Sequence, residues 1–180
     1  MIIGHLPAGY VLSKLGYSRL HHVFGKYRAF VFWGMFGAVA PDLDMFYFHF
    51  VYHRSTHHHK YFSHFPSVWL ALIVLSAISC FSKPCREKLG GYALLFSVSA
   101  FLHLILDSVV GDIWWLSPFV NQPFALATVP AIYSPWWLNF ILHWSFLLEL
   151  AICLWAAWIW KHGPAHQVRR AAPQAVRPMP

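Results

Sequence analysis

Residues 89–110 read LGGYALLFSVSAFLHLILDSVV, an apolar run with no charge before Asp107. A helix needs about 20 apolar residues to cross the hydrocarbon core of a bilayer, so this run is predicted to span one. Its far end carries His103 and Asp107, four residues apart and therefore on one helix face. An acid inside a membrane is costly and by default marks function. An imidazole and a carboxylate on one face offer a nitrogen and an oxygen to a single cation. The plainer alternative is a buried His–Asp pair that locks two helices.

Composition extends the membrane reading to the whole chain of 180 residues. Its hydrophobic fraction is 58% and its charged fraction 11%, against roughly 45–50% and about 25% in soluble domains. Ten Trp and eight Tyr suit a protein that meets both lipid–water interfaces. The net charge of +7 is spread over three short segments and forms no single stripe, which argues for membrane topology and against nucleic acid. Residues 66–82 form a second uncharged span, and residues 136–160 a third that carries His143 and Glu149. Residues 29–50 are long enough to span but are broken by Pro41, Asp42 and Asp44, and residues 1–13 are too short. The predicted fold is therefore all-α: an integral membrane helical bundle with about three full spans plus a short N-terminal helix packed in the bundle. Residues 1–160 form the membrane-embedded domain, and residues 161–180 a basic, Pro/Ala-rich disordered tail. The basic segments 14–28 and 83–88 and the tail are assigned to the cytoplasm, and 51–65 and 111–135 to the other side.

Cys80, Cys85 and Cys153 form no metal-binding spacing and read as small core residues. The first residues lack the basic start of a signal peptide. No Gly-x-Ser-x-Gly elbow or phosphate-binding glycine loop is present.

The remaining chemistry gathers in residues 41–64. Two of the four aspartates, Asp42 and Asp44, follow Pro41, and five of the thirteen histidines fall between 53 and 64. A proline-started bend lets both aspartates reach one site, which a regular helix does not. If the following stretch is helical, His53, His57 and His64 line one stripe at about 100° per residue. Ser55 or Thr56 could instead cap a helix beginning there, which still leaves His57 and His64 on one face. His58 and His59 point elsewhere. Imidazole with carboxylate suits zinc, manganese or iron better than magnesium or calcium. His143 and Glu149 share no helix face and read as structural.

These motifs, in this order, resemble the LexA-regulated inner-membrane metal-dependent hydrolases, the YdjM-like family. The residues that carry the resemblance are His5, Pro41-Asp42-Leu43-Asp44, His53-Arg54-Ser55-Thr56-His57-His58, His103 with Asp107, Gly111, and Trp115-Leu116-Ser117-Pro118-Phe119. The chain departs from the family pattern at Ser55 and His58. The order of elements is also similar, more distantly, to zinc-dependent phospholipase C. The resemblance implies a bacterial inner-membrane, multi-pass location, a helical site with one or two divalent ions, and a role for His5.

The expected function is metal-assisted hydrolysis of a phosphoester or lipid-linked substrate within the membrane. The expected metal ligands are His5, Asp42, Asp44, His53, His57, His64, His103 and Asp107. Zinc is the first choice of ion, with manganese or iron next. Asp44 is the expected general base, and Arg54 the expected holder of an anionic oxygen. Residues 111–135 could cover the site as a lid. Membrane lipids are the expected partners; oligomeric state is left open. The competing reading is a membrane metal transporter or metal-binding protein with the same ligands, and the third a structural protein whose polar groups lock the bundle.

Overall fold

Prolines set several starts. Pro41 opens a 3-10 turn, and Pro66 and Pro84 each open a helix, because the ring presets φ and a first turn does not need the missing N–H. The computed structural model describes residues 1–20, 26–51, 53, 57–80 and 84–163. Among these there are seven α-helices and no strand: α1 (His5–Leu20), α2 (Tyr27–Gly37), α3 (Asp44–Phe50), α4 (Pro66–Cys80), α5 (Pro84–Asp107), α6 (Trp136–Ile141) and α7 (Ser145–His162). The predicted disordered tail falls almost wholly outside the described residues.

α5 is the central element. It packs against α4 and α2, and α1 lies against α2, α5 and α7. Small residues allow the approach. A Cβ on Gly37 of α2 would run into the Phe96 carbonyl of α5. Glycine at such a crossing lets backbones touch, the usual device of helices packed in lipid. Phe30 and Leu95 fill the space between α2 and α5, and Trp69, Ala100 and Leu104 fill that between α4 and α5.

The helices alternate in direction, so one end of the bundle collects the start of α1, the end of α2, the start of α4, the end of α5 and the start of α7. Gly4 touches Glu149, and the Ala38 carbonyl meets His103 at that end. Arg19, Lys26, Arg28, Arg86, Lys88 and Lys161 belong to the opposite helix ends.

Among the described residues, α5 is long and apolar enough to cross a membrane, over Leu89–Asp107 with mean hydropathy 1.9. α2 and the segment Pro41–Phe50 qualify as a second span only when counted together, with a 58° bend between them. Of the three full spans expected, one stands out clearly among the described residues. α4 has 15 residues, short of the ~20 needed for a straight crossing. The predicted third span is broken between Ile141 and Ser145. Asn139 accepts hydrogen bonds from the Ile132 and Tyr133 N–H groups at 2.9 and 2.7 Å, which ties α6 to the preceding loop. His143 Nδ1 lies 2.9 Å from Ser145 Oγ, where α7 begins.

α4 and α7 are apolar on nearly every side and leave Leu72, Val74, Leu75, Leu147, Leu154 and Trp158 exposed. A face of that extent is unsuited to water.

Candidate metal centre

Asp107 lies at the end of α5, nearly buried, and the other polar groups of this end of the bundle converge on it. His103, one turn earlier, brings Nε2 to 3.0 Å from Asp107 Oδ2. Pro41 starts a 3-10 turn that swings Asp42 inward, with Oδ1 3.5 Å from His103 Nε2 and 3.8 Å from His64 Nε2. Two further 3-10 turns, His58–Lys60 and Phe62–His64, carry His59 and His64. Their Nε2 atoms lie 3.7 and 4.0 Å from Asp107 Oδ2. On the other carboxylate oxygen, His5 Nε2 lies 3.0 Å from Asp107 Oδ1, and the Met1 amino group lies 2.5 Å from it.

The ligand atoms of Asp42, His64, His103 and Asp107 all lie within 4.8 Å of one another. Bonds of 2.0–2.1 Å to a tetrahedral ion put neighbouring donors about 3.3 Å apart. The pairs across this group, 3.0–4.0 Å apart, bracket that spacing.

The outer nitrogens of the imidazoles strengthen this reading. His103 Nδ1 donates to the Ala38 carbonyl at 2.8 Å, and His59 Nδ1 to the Asp112 carbonyl at 2.9 Å. A carbonyl only accepts, so the proton sits on Nδ1, and a neutral ring then presents the Nε2 lone pair inward. His64 Nδ1 faces Asp44 Oδ2 at 2.7 Å, and Ser63 Oγ donates to the same oxygen at 2.5 Å. Metal-binding histidines are held in this way by carbonyls and carboxylates behind them.

Lone pairs pointed at a carboxylate repel it unless a proton or a cation lies between. Protons on all four rings are a poor answer. The His5 and His103 rings are 3.8 Å apart and those of His59 and His64 4.7 Å, so charging all four crowds like charges in a dry site. His5 Nε2 and His103 Nε2 are also buried without a hydrogen-bond partner among the described residues. Buried polar atoms are normally satisfied, and a divalent cation satisfies these. The residues present therefore fit a metal ion.

The structure thus brings together Asp42, His64, His103 and Asp107, with His5 beside them. Asp44 reaches the site from behind His64. His57 is exposed at the rim, its ring 5.1 Å from that of His59. Enough protein crowds the His57 ring to push its pKa below the usual value, an effect opposed by Asp112 and reinforced by Lys60 and His64. His53 is exposed, in a left-handed backbone conformation with φ 46°, and stands outside the four-residue group. Arg54 lies outside the described residues. No helix carries 53, 57 and 64 on one stripe, because the described part of that stretch folds as short 3-10 turns.

Two contributors escape the sequence reading. His59, placed off the ligand stripe in a supporting or interfacial role, is 7% exposed and faces Asp107. Glu149, read as structural, is 2% exposed. Its Oε2 accepts the N–H groups of Ile2, Ile3 and Gly4 at 2.9, 2.6 and 3.0 Å. These donors precede α1, whose own first N–H groups lack partners within the helix. The carboxylate from α7 thereby fixes the approach to His5. The signal was an acid in an apolar run; its partner was backbone far away in the sequence.

Search of the curated proteins finds no match, and no solved structure matches either. A family model described as YdjM inner membrane protein matches residues 1–165, a stretch that contains every residue of the cluster. The chain belongs to the YdjM inner membrane protein family.

Proposed function

We propose that the protein is a membrane-bound metal-dependent hydrolase that acts on a phosphoester or lipid-linked substrate. The observation that carries this reading is the convergence of Asp42, His64, His103 and Asp107 on one point beside a cavity. A divalent ion held there, zinc by donor type, supplies Lewis-acid polarisation and lowers the pKa of water toward about 7.

The chain's own groups divide the remaining work. Asp107, almost wholly enclosed, balances the charge of the ion. His64, His103 and Asp107 would hold the ion and leave a position for water; Asp42, its side chain 40% exposed and facing the cavity, is then the carboxylate placed to take a proton from that water. Asp44, the base expected from sequence, orients His64 instead. Arg54 remains the candidate to hold an anionic oxygen through its planar fork. α5 crosses the inner membrane, and the shorter helices travel with it as a multi-pass bundle. The basic helix ends and the tail then face the cytoplasm by the positive-inside rule, and the metal centre faces away from it.

The test is metal analysis of the full chain in lipid nanodiscs, with hydrolysis of phosphodiester probes by wild type and Asp107→Asn. Stoichiometric metal and hydrolysis in the wild type, both lost in the variant, are expected. A wild-type protein that takes up no zinc, manganese or iron on titration overturns the reading.

A further inference from the structure

A cavity of about 580 Å³ opens beside the metal centre. That size lies in the range of ligand sites, about 300–1,000 Å³. Its lining is of two kinds. Asp42, Asp107, Asp112, His57 and His59 supply most of its polar lining, with Thr128; Ala127, Val129, Trp136 and Phe140 supply an apolar wall. Among the described residues, no lysine or arginine lines it. An anionic group there finds the cation site and the Met1 amino group, and a chain extending from it meets the apolar side chains of the wall.

The wall is fixed. Leu126 N–H donates to the Ser108 carbonyl at 2.7 Å, and Ala127 N–H to the Val109 carbonyl at 3.0 Å, so the segment is bonded to the end of α5. Ile113 and Phe124 pair with each other through two backbone bonds of 3.0 and 2.9 Å. α6 adds Trp136 and Phe140 to the lining and leaves Trp137, Ile141 and the following Leu142 exposed. The chamber thus adjoins both the cation site and a lipid-compatible surface.

We infer that this cavity is the substrate chamber and that it selects a phosphoester carrying a hydrocarbon chain, with the phosphoryl group at the Asp42–Asp107 end and the chain along Val129, Trp136 and Phe140. The inference rests on the hydrolase reading above and joins its two substrate classes into one, a phosphoester that carries a hydrocarbon chain. Hydrolysis adds water across the P–O bond: the oxygen of water joins phosphorus, and the departing alcohol takes the proton. A membrane lipid and a soluble alkyl phosphoester share this chemistry.

The experiment uses zinc-loaded full chain in nanodiscs and two p-nitrophenyl phosphodiesters that differ only in a methyl or a dodecyl group. Each buried methylene is worth roughly fourfold in binding, so kcat/KM is expected to favour the dodecyl ester at least tenfold. Val129→Trp and, separately, Ala127→Phe fill the chamber and are expected to bring the dodecyl-to-methyl ratio toward one while metal content stays at the wild-type value. Equal rates for the two esters in the wild type, or an unchanged ratio in both variants, overturn the inference. Lipid phosphodiesters placed in the nanodisc then separate the sources: hydrolysis there supports a lipid, and hydrolysis of the added dodecyl ester alone supports a soluble amphiphile.

If the wild type hydrolyses neither ester, the hydrolase reading fails and the chamber is judged by binding. Dodecylphosphonate that raises Tm of the wild type but not of Val129→Trp supports it. No shift, or an equal shift with methylphosphonate, overturns it.

Discussion

Glu149→Gln should weaken metal binding although Glu149 touches no donor atom of the centre. The carboxylate holds the three residues before α1, and α1 begins with His5, whose Nε2 lies 3.0 Å from Asp107 Oδ1. Glutamine keeps an acceptor oxygen but removes the charge, and charge-assisted hydrogen bonds are roughly twice as strong as neutral ones. With hydrogen bonds to charged groups worth about 1.5–3 kcal/mol each, and three donors sharing one oxygen, the loss should be about 1–2 kcal/mol in docking this segment. His5 as a fifth donor would make Glu149 a support behind a ligand, and loss of such support costs about 10–100-fold in affinity. The expected result is a tenfold or greater rise in zinc Kd, measured by competition with a chromophoric chelator in nanodiscs. The decisive comparison is the His5→Ala background. If Glu149 acts through His5, adding Glu149→Gln there should change Kd less than twofold. An equal rise in both backgrounds, or a fall in Tm with unchanged Kd in the single variant, would refute the link.

Three further outcomes follow from the same geometry. Chelation of the metal should lower Tm and re-addition of zinc restore it, since a ligand at 1,000 times its Kd stabilises by about 4 kcal/mol; a Tm indifferent to chelator would count against a bound ion. Asp44→Asn should raise zinc Kd about 10–100-fold through His64 yet leave the ion bindable, whereas total loss of metal would make Asp44 a direct ligand. Gly37→Leu should drive α2 from α5 and pull the Ala38 carbonyl from His103, with a cost of about 1–3 kcal/mol from overpacking; scanning calorimetry that shows no fall in Tm would refute the close crossing.

What the sequence disclosed depended on how regular each segment is. α5 was legible because one uniform apolar run makes it, and His103 with Asp107 because four residues on a helix always share a face. Asp42 was legible from Pro41, which forces a new local turn. Residues 53–64 were not, since the phase reading assumed a helix. The 3-10 turns found there repeat every three residues; they turn His64 and His59 inward and leave His57 at the rim. The break in residues 136–160 was hidden for a different reason. Composition is continuous across it, and the helix is interrupted by what Asn139 and His143 bond to, which no local pattern encodes. Glu149 was visible as an anomaly, but its partners are N–H groups, and backbone carries no sequence signature.

The arrangement also bears on the choice between a hydrolase and a transporter. An ion moved through a membrane needs polar groups at successive depths, because charge in hydrocarbon is costly. Below the metal centre, the buried polar side chains among the described residues of α1, α4 and α5 are the serines Ser13, Ser76, Ser97 and Ser99. Ser13 and Ser97 spend their hydroxyls on carbonyls one turn back in their own helices, Gly9 and Ala93. Glu149 has its inward oxygen occupied by three N–H groups, and Lys14 sits with its ammonium over the Tyr27 ring, 4.8 Å from the centroid. The acids and imidazoles instead meet at one end, beside a cavity with an apolar wall. Donors concentrated at one end of the bundle hold an ion in place, and a cavity beside it admits a molecule. That combination favours chemistry at a fixed cation over passage of the cation itself. Vesicles loaded with a zinc-sensitive dye and carrying the reconstituted protein should therefore show no zinc uptake above protein-free vesicles; saturable uptake abolished by Asp107→Asn would reverse the choice.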